Sequence, residues 1–538
     1  VVTKNTVAFQ AAYPLVNAAI IAGPFIGSLS NGGEQIKLDD PNGSTILSFN
    51  FNDNEPWPQR ADGDGASLEL IAPTTTPIDQ YGKYYHWRGS ISFGGSPGNA
   101  GQEPIGIIIN EVLSRTDPPV VETDSIELYN STNTNINIGG WYLSDSSDNF
   151  LKYEIPDGTI LSAGGYLVFD ESHFNPNPTS PASTDFALSG TTGDDVWLTI
   201  ANDSSGISFF VDDVHFGAAA VGESLGRTTD GSDRLIPMQT ITLSATNSPA
   251  RIGPLVFSEL NYHPGFPSSE ALTVDPTLQE SDLEFIEIFN PTTAAIDLTD
   301  WRIRGGVDYD FLAATTIGAG EVMVVISFDP QTTANMNRLA AFRAHYGIDT
   351  GTVLVGPYRN QLSNSDDHIK LQRPGDPTPE FPPMTPVLLE DQVLYDDLAP
   401  WPITADGTGI TLHRTPPNSL GIEPLGWSAA APGPGHPDRL GDTDLDGDVD
   451  TADLTTAIVN FTSAGGTGKT WSEGDIDGDG DVDTSDLTTA IIHFTGAMAQ
   501  TRFSTFQLTA VSLDNILLPT NDVTSHKQTP SDAPAKTV

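Results

Sequence analysis

The sequence lacks cysteine altogether, which excludes disulfide bonds, cysteine nucleophiles and zinc sites built on thiolates. Basic residues are also scarce: 23 Lys and Arg stand against 71 Asp and Glu, and the formal net charge is −48 at pH 7. A surface of this charge repels phosphate backbones and anionic lipids, so it argues against binding to nucleic acids or to membranes. It favours cations, and bound calcium suits an acidic chain that needs stabilisation without disulfides.

Long hydrophobic runs are missing as well. No stretch of 18 apolar residues occurs, so the sequence predicts no membrane-inserted segment. No signal peptide is visible, and the chain starts at Val1 rather than Met. We interpret the chain as a processed or truncated product of a secreted bacterial protein that resides outside the cell or at its surface.

What the sequence has instead is the chemistry of turns and strands. It contains 51 Gly and 41 Pro in 538 residues, and it is rich in Ser, Thr, Asn and Asp. These residues favour turns between short strands over helical bundles. A chain of this length also exceeds a single core, which predicts three to five structural units at roughly 100–200 residues each.

A strand motif occurs twice. Residues 126–130 read I-E-L-Y-N and residues 286–290 read I-E-I-F-N, and in each copy a tryptophan, Trp141 or Trp301, follows eleven residues later. Around both copies, apolar and polar residues alternate over 4–8 residues between turn signals, as in half-buried antiparallel strands. The pattern predicts β-sandwiches. A short helix is predicted only near 331–346 and within the acidic repeat described below.

The start of the chain resembles the later half of this unit. The I-K-L motif at 36–38 recurs at 369–371, and Trp57 recurs as Trp401. Val1 therefore falls in the middle of a module, and we expect the first unit to be partial.

The β units resemble lamin-tail domains, which are immunoglobulin-like sandwiches. The resemblance rests on the I-E-[LI]-[YF]-N strand, the tryptophan eleven residues later, and a following Gly-x-[YV]-[LM]-V strand. It implies a binding or structural module with no catalytic residues. We predict a mostly β chain in five parts. The first three, which we call the first, second and third β segments, are residues 1–100 (partial), 101–250 and 251–438. They are followed by a calcium domain at 439–496 and a tail at 497–538.

The most specific signal is an acidic repeat, 441–462 and 474–495, in which 17 of 22 positions are identical at a spacing of 33. Each copy matches a twelve-residue calcium loop that supplies oxygens from positions 1, 3, 5, 7, 9 and 12, with glycine at position 6. Position 7 contributes its backbone carbonyl, and position 9 often acts through water. The predicted ligands of two Ca²⁺ ions are Asp442, Asp444, Asp446, Asp448, Asp450, Asp453, Asp475, Asp477, Asp479, Asp481, Asp483 and Asp486, and the turn glycines are Gly447 and Gly480.

A helix should follow each loop. Leu454, Ala457, Ile458 and Phe461 share one helical face, as do their counterparts Leu487, Ala490, Ile491 and Phe494, and we expect the two faces to pack together. Val449 and Val482 suit a short strand that pairs the loops. Residues 441–486 carry 13 acids and one lysine, so we predict that calcium binding and folding are coupled.

This repeat resembles a dockerin, a calcium-binding module of secreted bacterial proteins, because it has Asp at position 12 and lacks a helix before each loop. The resemblance implies partner contacts through loop positions 10 and 11 and the following helix. Those positions are Thr451 and Ala452 in the first copy, and Thr484 and Ser485 in the second. The partner would be a cohesin-like protein or a neighbouring copy of the chain, bound in either of two orientations.

Several catalytic patterns are weak. Residues 94–98 match G-x-S-x-G, but Pro97 has no N–H to donate to an oxyanion, so a linker turn is favoured. Residues 465–470 resemble a phosphate loop but lack its first glycine, which favours a connector.

Other polar groups leave alternatives open. Glu111 with Glu127, and Glu259 with Glu287, are candidate carboxylate pairs for glycoside hydrolysis or a further metal, although their recurrence favours a structural role. The histidines are scattered and do not support a zinc site. The D-G-D-G sequence at 62–65 favours a turn over a metal site.

We therefore predict a secreted, non-enzymatic structural or adhesive protein with calcium-dependent docking, such as a stalk or filament subunit. One alternative is the targeting or scaffold region of a larger secreted hydrolase. Another is a carbohydrate-binding array that contacts a surface glycan, in which Trp57, Trp87 or Trp401 would stack on sugars while Trp141 and Trp301 lie in cores. In the tail, 503–518 suggests one or two strands and 519–538 disorder.

Overall fold

A computed structural model describes residues 1–118, 120, 122–202, 206–229, 234–379, 381–436, 441–444, 448–477 and 480–495. The predicted tail and the calcium ligands Asp446 and Asp479 lie outside these residues, as does Gly447. The described chain is mostly β, as the sequence predicts. None of its described helices is both long and apolar enough to cross a membrane.

The second β segment consists of two main sheets, a separate two-stranded sheet and one short helix. A five-stranded sheet has the order β11-β6-β5-β14-β15, a four-stranded sheet has the order β13-β12-β8-β9, and β7 pairs with β10. The elements are β5 (Ile107–Leu113), β6 (Ser125–Asn130), β7 (Ile136–Asn137), β8 (Trp141–Ser144), β9 (Tyr153–Glu154), β10 (Ile160–Leu161), β11 (Tyr166–Asp170), α2 (Glu171–Phe174), β12 (Asp194–Ala201), β13 (Ile207–Phe216), β14 (Leu225–Arg227) and β15 (Leu235–Pro237).

The third β segment repeats this plan with larger sheets. Its six-stranded sheet has the order β23-β22-β17-β16-β27-β28, its five-stranded sheet has the order β24-β20-β19-β25-β26, and β18 pairs with β21. The elements are β16 (Val256–Asn261), α3 (Ser269–Val274), β17 (Phe285–Phe289), β18 (Ile296–Asp297), β19 (Arg302–Gly305), β20 (Val307–Asp310), β21 (Thr316–Ile317), β22 (Val322–Ile326), α4 (Met336–Tyr346), β23 (Leu354–Val355), β24 (Arg359–Asn360), β25 (Asp366–Pro374), β26 (Val387–Asp396), β27 (Thr411–Arg414) and β28 (Trp427–Ala430).

The main core of each of these segments lies between its two sheets. In the third segment, side chains from β16 and β17 meet side chains from β19 and β25, including Ile286, Ile303 and Leu371. Trp141 and Trp301 are buried in the two cores, as predicted. The alternating pattern therefore identified the inner faces of the strands correctly.

The strands β6 and β17 are buried on both faces, so the half-buried interpretation was wrong for them. All five residues of β17 are buried, and Glu127 of β6 is also inaccessible. The reason is that other parts of the chain cover the outer face of this sheet. In the third segment, the predicted helix α4 is part of that cover, and it buries Ala341 and Phe342 while Met336 stays exposed.

The first β segment is less complete. It contains α1 (Thr6–Ala12), β1 (Glu34–Asp39), β2 (Thr45–Phe51), β3 (Leu68–Leu70) and β4 (Trp87–Gly89), which form two separate two-stranded sheets. The strand β1 carries the same I-K-L motif as β25, but Leu38 is 51% exposed whereas Leu371 is fully buried. In the third segment β25 pairs with β19, and no described strand occupies that position beside β1.

Two helices follow the acidic loops, α5 (Thr451–Val459) and α6 (Thr484–Ile492). A small core joins the repeat, made of Val449, Trp471, Ile476 and Ala490 with Leu454 packed against it. The predicted order of one helix after each loop is therefore observed.

Candidate metal centre

Carboxylates of the acidic repeat converge into groups, each with one oxygen per residue, and the grouped oxygens lie within 4.8 Å of one another. There are two overlapping groups in each copy. They are Asp442, Asp444 and Asp453; Asp448, Asp450 and Asp453; Asp475, Asp477 and Asp486; and Asp481, Asp483 and Asp486. All ten of the predicted ligands that the structure describes contribute a carboxylate oxygen to these groups, including Asp448 and Asp481, for which a backbone carbonyl was predicted.

Asp453 and Asp486, at position 12 of each loop, join the two groups of their copy. Both are buried, at 1% exposure. Asp453 accepts hydrogen bonds from the backbone N–H of Thr443 at 2.6 Å and of Asp450 at 2.8 Å. Asp486 accepts equivalent bonds from Ile476 and Asp483 at the same two distances. These backbone contacts hold each position-12 carboxylate at the centre of its loop.

The loop acids also begin the helices. Asp450 is the N-cap of α5 and accepts from the N–H of Ala452, while Asp453 bonds back to the N–H of Asp450 in a capping box. Asp483 and Asp486 cap α6 in the same way. N-terminal caps and negative charge both stabilise the start of a helix. The same side chains therefore position the carboxylate groups and start the helices.

The valines at position 8 make reciprocal contacts instead of the predicted strand pair between the loops. The N–H of Val449 donates to the hydroxyl of Thr495 beyond α6, and the carbonyl of Val449 accepts from the N–H of Thr495; Val482 makes the same two bonds with Thr462 beyond α5. Each loop is thus held by the end of the other copy's helix. The periodicity of the repeat showed that the valines are structural, but it could not show which residue each would meet.

The helices contact each other through small residues, which corrects the predicted packing of their apolar faces. Ala457 and Ala490 are fully buried, whereas Ile458 is 60% exposed and Ile491 is 61% exposed. Phe461 and Phe494 are exposed as well. Two glycines at the starts of the loops leave room for these alanines, as a Cβ on Gly474 would lie 2.6 Å from the Cα of Ala457 in α5, and one on Gly441 would lie 3.1 Å from the Cα of Ala490 in α6.

Trp471 is a residue of the site that the sequence interpretation missed. It lies in the connector between the copies, is 6% exposed, and donates its indole N–H to the backbone oxygen of Asp442 at 2.7 Å. It therefore packs under the first loop and holds its first residue. The one available signal was a lone aromatic residue in an otherwise polar connector.

The oxygen ligands of this site suit a hard cation. Calcium takes six to eight oxygen ligands at about 2.3–2.6 Å, so ligands of one ion lie at most about 5 Å apart, and the observed clustering meets that limit. The single lysine of 441–486, Lys469, bonds instead to Asn460 at 3.1 Å and to Glu473 at 3.0 Å. The acid-only composition of the groups thus fits calcium better than zinc.

The predicted partner-binding residues occupy the first turns of the helices. Thr451, Ala452, Thr484 and Ser485 are all exposed. On the same helices, Val459 is 76% exposed and Ile492 is 72% exposed. Each helix therefore presents a polar first turn and an apolar last turn to solvent.

The carboxylate pairs of the β segments are buried and serve a different purpose. Glu111 lies opposite Glu127 in one sheet, and Glu259 lies opposite Glu287 in the other. In the second segment, they accept from the backbone N–H of Thr242 and Ser244.

In the third segment, Glu259 accepts from the N–H of Gly433 at 3.0 Å, and Glu287 accepts from the N–H of Gly435 at 2.7 Å. Each pair of glutamates therefore binds the backbone of a later segment that crosses its sheet, residues 242–244 in one case and 433–435 in the other, which we call the return linker. This geometry supports the structural interpretation over catalysis.

The remaining motifs also have structural contacts. The hydroxyl of Ser96 donates to Glu69, and Lys469 of the phosphate-loop-like sequence makes the contacts given above. The histidines pair separately, His263 with Asp406 and His368 with Gln392. Within the described residues, the acidic repeat contains the only groups of three or more candidate metal ligands.

Two of the three tryptophans considered for sugar stacking are buried. Trp57 is 8% exposed and Trp401 is 6% exposed, and both pack against a second tryptophan, Trp87 and Trp427 respectively. Only Trp87 is half-buried. The sequence did not show which of the three tryptophans would be accessible. Trp57 and Trp401 are copies of one position of the repeated unit, and the structure shows that this position lies in a core.

Comparisons with known proteins bear on the predicted lamin-tail resemblance of the β segments. The family model described as Lamin Tail Domain matches residues 101–216 and 248–377. The two matches confirm the predicted resemblance of these segments to lamin-tail domains, which are immunoglobulin-like and in general non-catalytic. Neither range includes 1–100 or the acidic repeat, so the resemblance of the repeat to dockerins stays a prediction.

One solved structure is also similar, a crystal structure of a DUF4876 family protein from Bacteroides thetaiotaomicron. It is 10% identical, and the alignment covers 57% of this chain and 86% of that one with a TM-score of 0.21. A TM-score this low supports no conclusion about fold or function. No curated protein matches the chain.

Proposed function

We propose that this chain is an extracellular, non-enzymatic structural or adhesive protein whose acidic repeat binds two calcium ions and then docks on a cohesin-like protein. The observation that supports this most is the convergence of ten aspartates into two equivalent carboxylate centres, each coupled to the start of a helix. Two lamin-tail-like segments would supply the rigid body that is being anchored.

Calcium would act as the counter-charge for the loops. Residues 441–486 carry 13 acids against one lysine, and most of the clustered aspartates are buried. Packing so many carboxylates together without a cation costs free energy through charge repulsion and desolvation. Since Asp450 and Asp483 also cap the helices, loss of the ion would destabilise α5 and α6 as well.

The docking surface would be the exposed sides of α5 and α6. Each presents a hydroxyl-bearing or small first turn and a pair of aliphatic residues in its last turn, Ile458 with Val459 or Ile491 with Ile492. Apolar residues exposed next to a polar rim are typical of protein-binding surfaces. Because α5 and α6 are nearly identical in sequence, a partner could bind the surface of either helix, and the two complexes would differ in the orientation of this chain relative to the partner.

The test is capture from the source envelope and culture fluid by the purified full chain, in calcium and in EDTA. We expect one dominant partner, retained only in calcium. Either single substitution, Val459→Asp or Ile492→Asp, should leave capture largely intact because one surface remains. The double variant should abolish it.

Leu425→Asp provides the matched control, since Leu425 is 90% exposed but lies outside the repeat. Retention of the same partner by the double variant, or in EDTA, would contradict the proposal. Capture of the chain by itself would replace the cohesin-like partner with a neighbouring copy.

A further inference from the structure

A cleft of about 500 Å³ lies where the first, second and third β segments meet. The first segment contributes Trp87 and the neighbouring Tyr84 and Tyr85, the second contributes Arg234, and the third contributes Lys370. A cleft assembled from three segments is not part of any single lamin-tail match and was not indicated by any sequence motif.

The charge of this cleft is opposite to that of the protein. The chain has 23 Lys and Arg against 71 Asp and Glu. The lining of the cleft contains four basic residues, Arg60, Arg88, Arg234 and Lys370, and only two acidic ones, Glu55 and Asp213. A local excess of positive charge in so acidic a chain makes this cleft the place where an anion is best accommodated.

A protonated histidine also lines the cleft, paired with two carboxylates. His215 lines the cleft, and although burial works to lower its pKa, the carboxylates of Asp195 and Asp213 raise the pKa to about 10. The imidazole therefore carries its proton at neutral pH.

Of the four basic residues, Arg234 has the least compensated charge. Lys370 pairs with Glu55, Arg60 with Asp213 at 2.7 Å, and Arg88 with Glu69 and Glu103. Arg234 instead lies over the ring of Tyr84, with 5.7 Å from its guanidinium carbon to the ring centroid. No described carboxylate lies within ion-pair distance of it. A guanidinium without a carboxylate partner keeps N–H donors of its fork available for an oxyanion.

The other walls offer contacts suited to a sugar ring. Tyr85 is 39% exposed, and Trp87 is half-buried with Phe49 stacked on its ring, so part of each aromatic side chain is accessible beside the guanidinium. Gln372 and Gln392 also line the cleft, and their side-chain oxygens are engaged by Arg302 and by His368. Their amide N–H groups are thus the ends left to donate to a ligand.

We propose that this cleft binds an anionic carbohydrate, a pyranose that carries a carboxylate or sulfate group. The acidic group would bond to Arg234, and the sugar ring would lie against Tyr85 and Trp87. This site would give the protein a contact with an acidic surface glycan that is separate from the acidic repeat and independent of calcium.

Calorimetric titration of the full chain in EDTA tests this, with tetragalacturonate, a sulfated galactan tetrasaccharide and neutral galactotetraose as probes. Tryptophan fluorescence provides a second signal because Trp87 lines the cleft. We expect one or both anionic probes to bind, with affinity that falls as salt rises, and the neutral probe to bind at least tenfold more weakly. The two anionic probes distinguish carboxylate from sulfate recognition.

Arg234→Gln should weaken binding of the anionic probe at least tenfold, and Tyr85→Ala should weaken it severalfold. The matched controls are Arg359→Gln and Phe381→Ala, since Arg359 (68% side-chain exposure) and Phe381 (97%) lie outside the cleft. Melting temperatures of all four variants should equal that of the wild type. Absence of binding by both anionic probes, equal binding of the neutral probe, or an equal loss with Arg359→Gln would each overturn the proposal.

Discussion

Buried carboxylates occur in two parts of this molecule and are stabilised in different ways. In the β segments, Glu127 and Glu287 are inaccessible, and each accepts hydrogen bonds from the backbone of a return linker. In the acidic repeat, Asp453 and Asp486 are equally inaccessible but lie among other carboxylates. The β segments satisfy their buried acids with the chain itself, whereas the repeat brings acids together around a space suited to a cation.

This difference teaches that burial of an acid does not by itself identify a functional site. Both kinds of acid recur in repeated motifs, and both were candidates from sequence. Both kinds of acid accept hydrogen bonds from backbone N–H groups, which balance part of the charge, so what distinguishes Asp453 and Asp486 is the further carboxylate oxygens that lie within 4.8 Å of theirs. Removing calcium should therefore affect only one of the two regions.

The largest expected effect is on calcium binding. Asp442→Asn combined with Asp475→Asn removes one carboxylate from each centre and should lower calcium affinity by about 100-fold or more, since changes even to residues that only orient metal ligands cost about 10–100-fold. Isothermal titration calorimetry measures this. Asp148→Asn, at an exposed position of the second segment, is the control and should bind calcium like the wild type.

A second prediction compares two copies of one leucine. Leu371→Ala should lower the free energy of unfolding of the third segment by about 2–5 kcal/mol, because the side chain is fully buried in a packed core. Leu38→Ala, at the equivalent position of β1, should cost less than about 1 kcal/mol because half of that side chain is already in water. Denaturant unfolding monitored by tryptophan fluorescence provides both values, and equal losses would contradict the observed difference in burial.

The buried glutamates should be insensitive to calcium. Glu287→Gln disturbs the bonds to Gly435 and to the hydroxyl of Ser258, and it should lower the stability of the third segment by about 1–3 kcal/mol. Thermal melts should show the same loss in calcium and in EDTA. Glu103→Gln, whose side chain is 89% exposed, serves as the reference and should change neither melt.

The last prediction concerns two acids, Asp195 and Asp213, whose counter-charge is a protein side chain. Burial alone would lower the pKa of His215, but its contacts with Asp195 and Asp213 raise the pKa to about 10. Because the folded pKa lies above the usual value, this stabilisation is full below about pH 6.5 and is lost as pH rises through 10. Stability of the second segment should therefore decline toward pH 10 in the wild type, and less so in His215→Gln. Identical pH profiles would contradict the role of the protonated ring.

Much of the fold was predictable because it depends on local periodicity. The I-E-[LI]-[YF]-N strands, the core tryptophans and the helices after each acidic loop all follow from residue spacing. What was not predictable depends on contacts across long distances. The cover over Glu127 and Glu287 comes from linkers more than 100 residues away.

The candidate site shows the same division. Loop spacing indicated the aspartates that converge, because ligand positions lie close together in sequence. Helical periodicity also placed Ile458 and Ile491 on an apolar face, but it could not reveal that the helices would instead bury Ala457 against Gly474 and Ala490 against Gly441. Ile458 and Ile491 are consequently exposed to solvent. They were predicted to form a core and belong instead to the proposed docking surface.

Hydrogen exchange of the full chain, in calcium and in EDTA, tests most directly whether the acidic repeat folds around calcium. We expect the amides of α5 and α6 to be protected in calcium and to exchange rapidly in EDTA, while those of β17 and β22 exchange equally slowly in both conditions. Equal protection of α5 and α6 with and without calcium would contradict the proposal, because the carboxylate centres would then be stable without a cation.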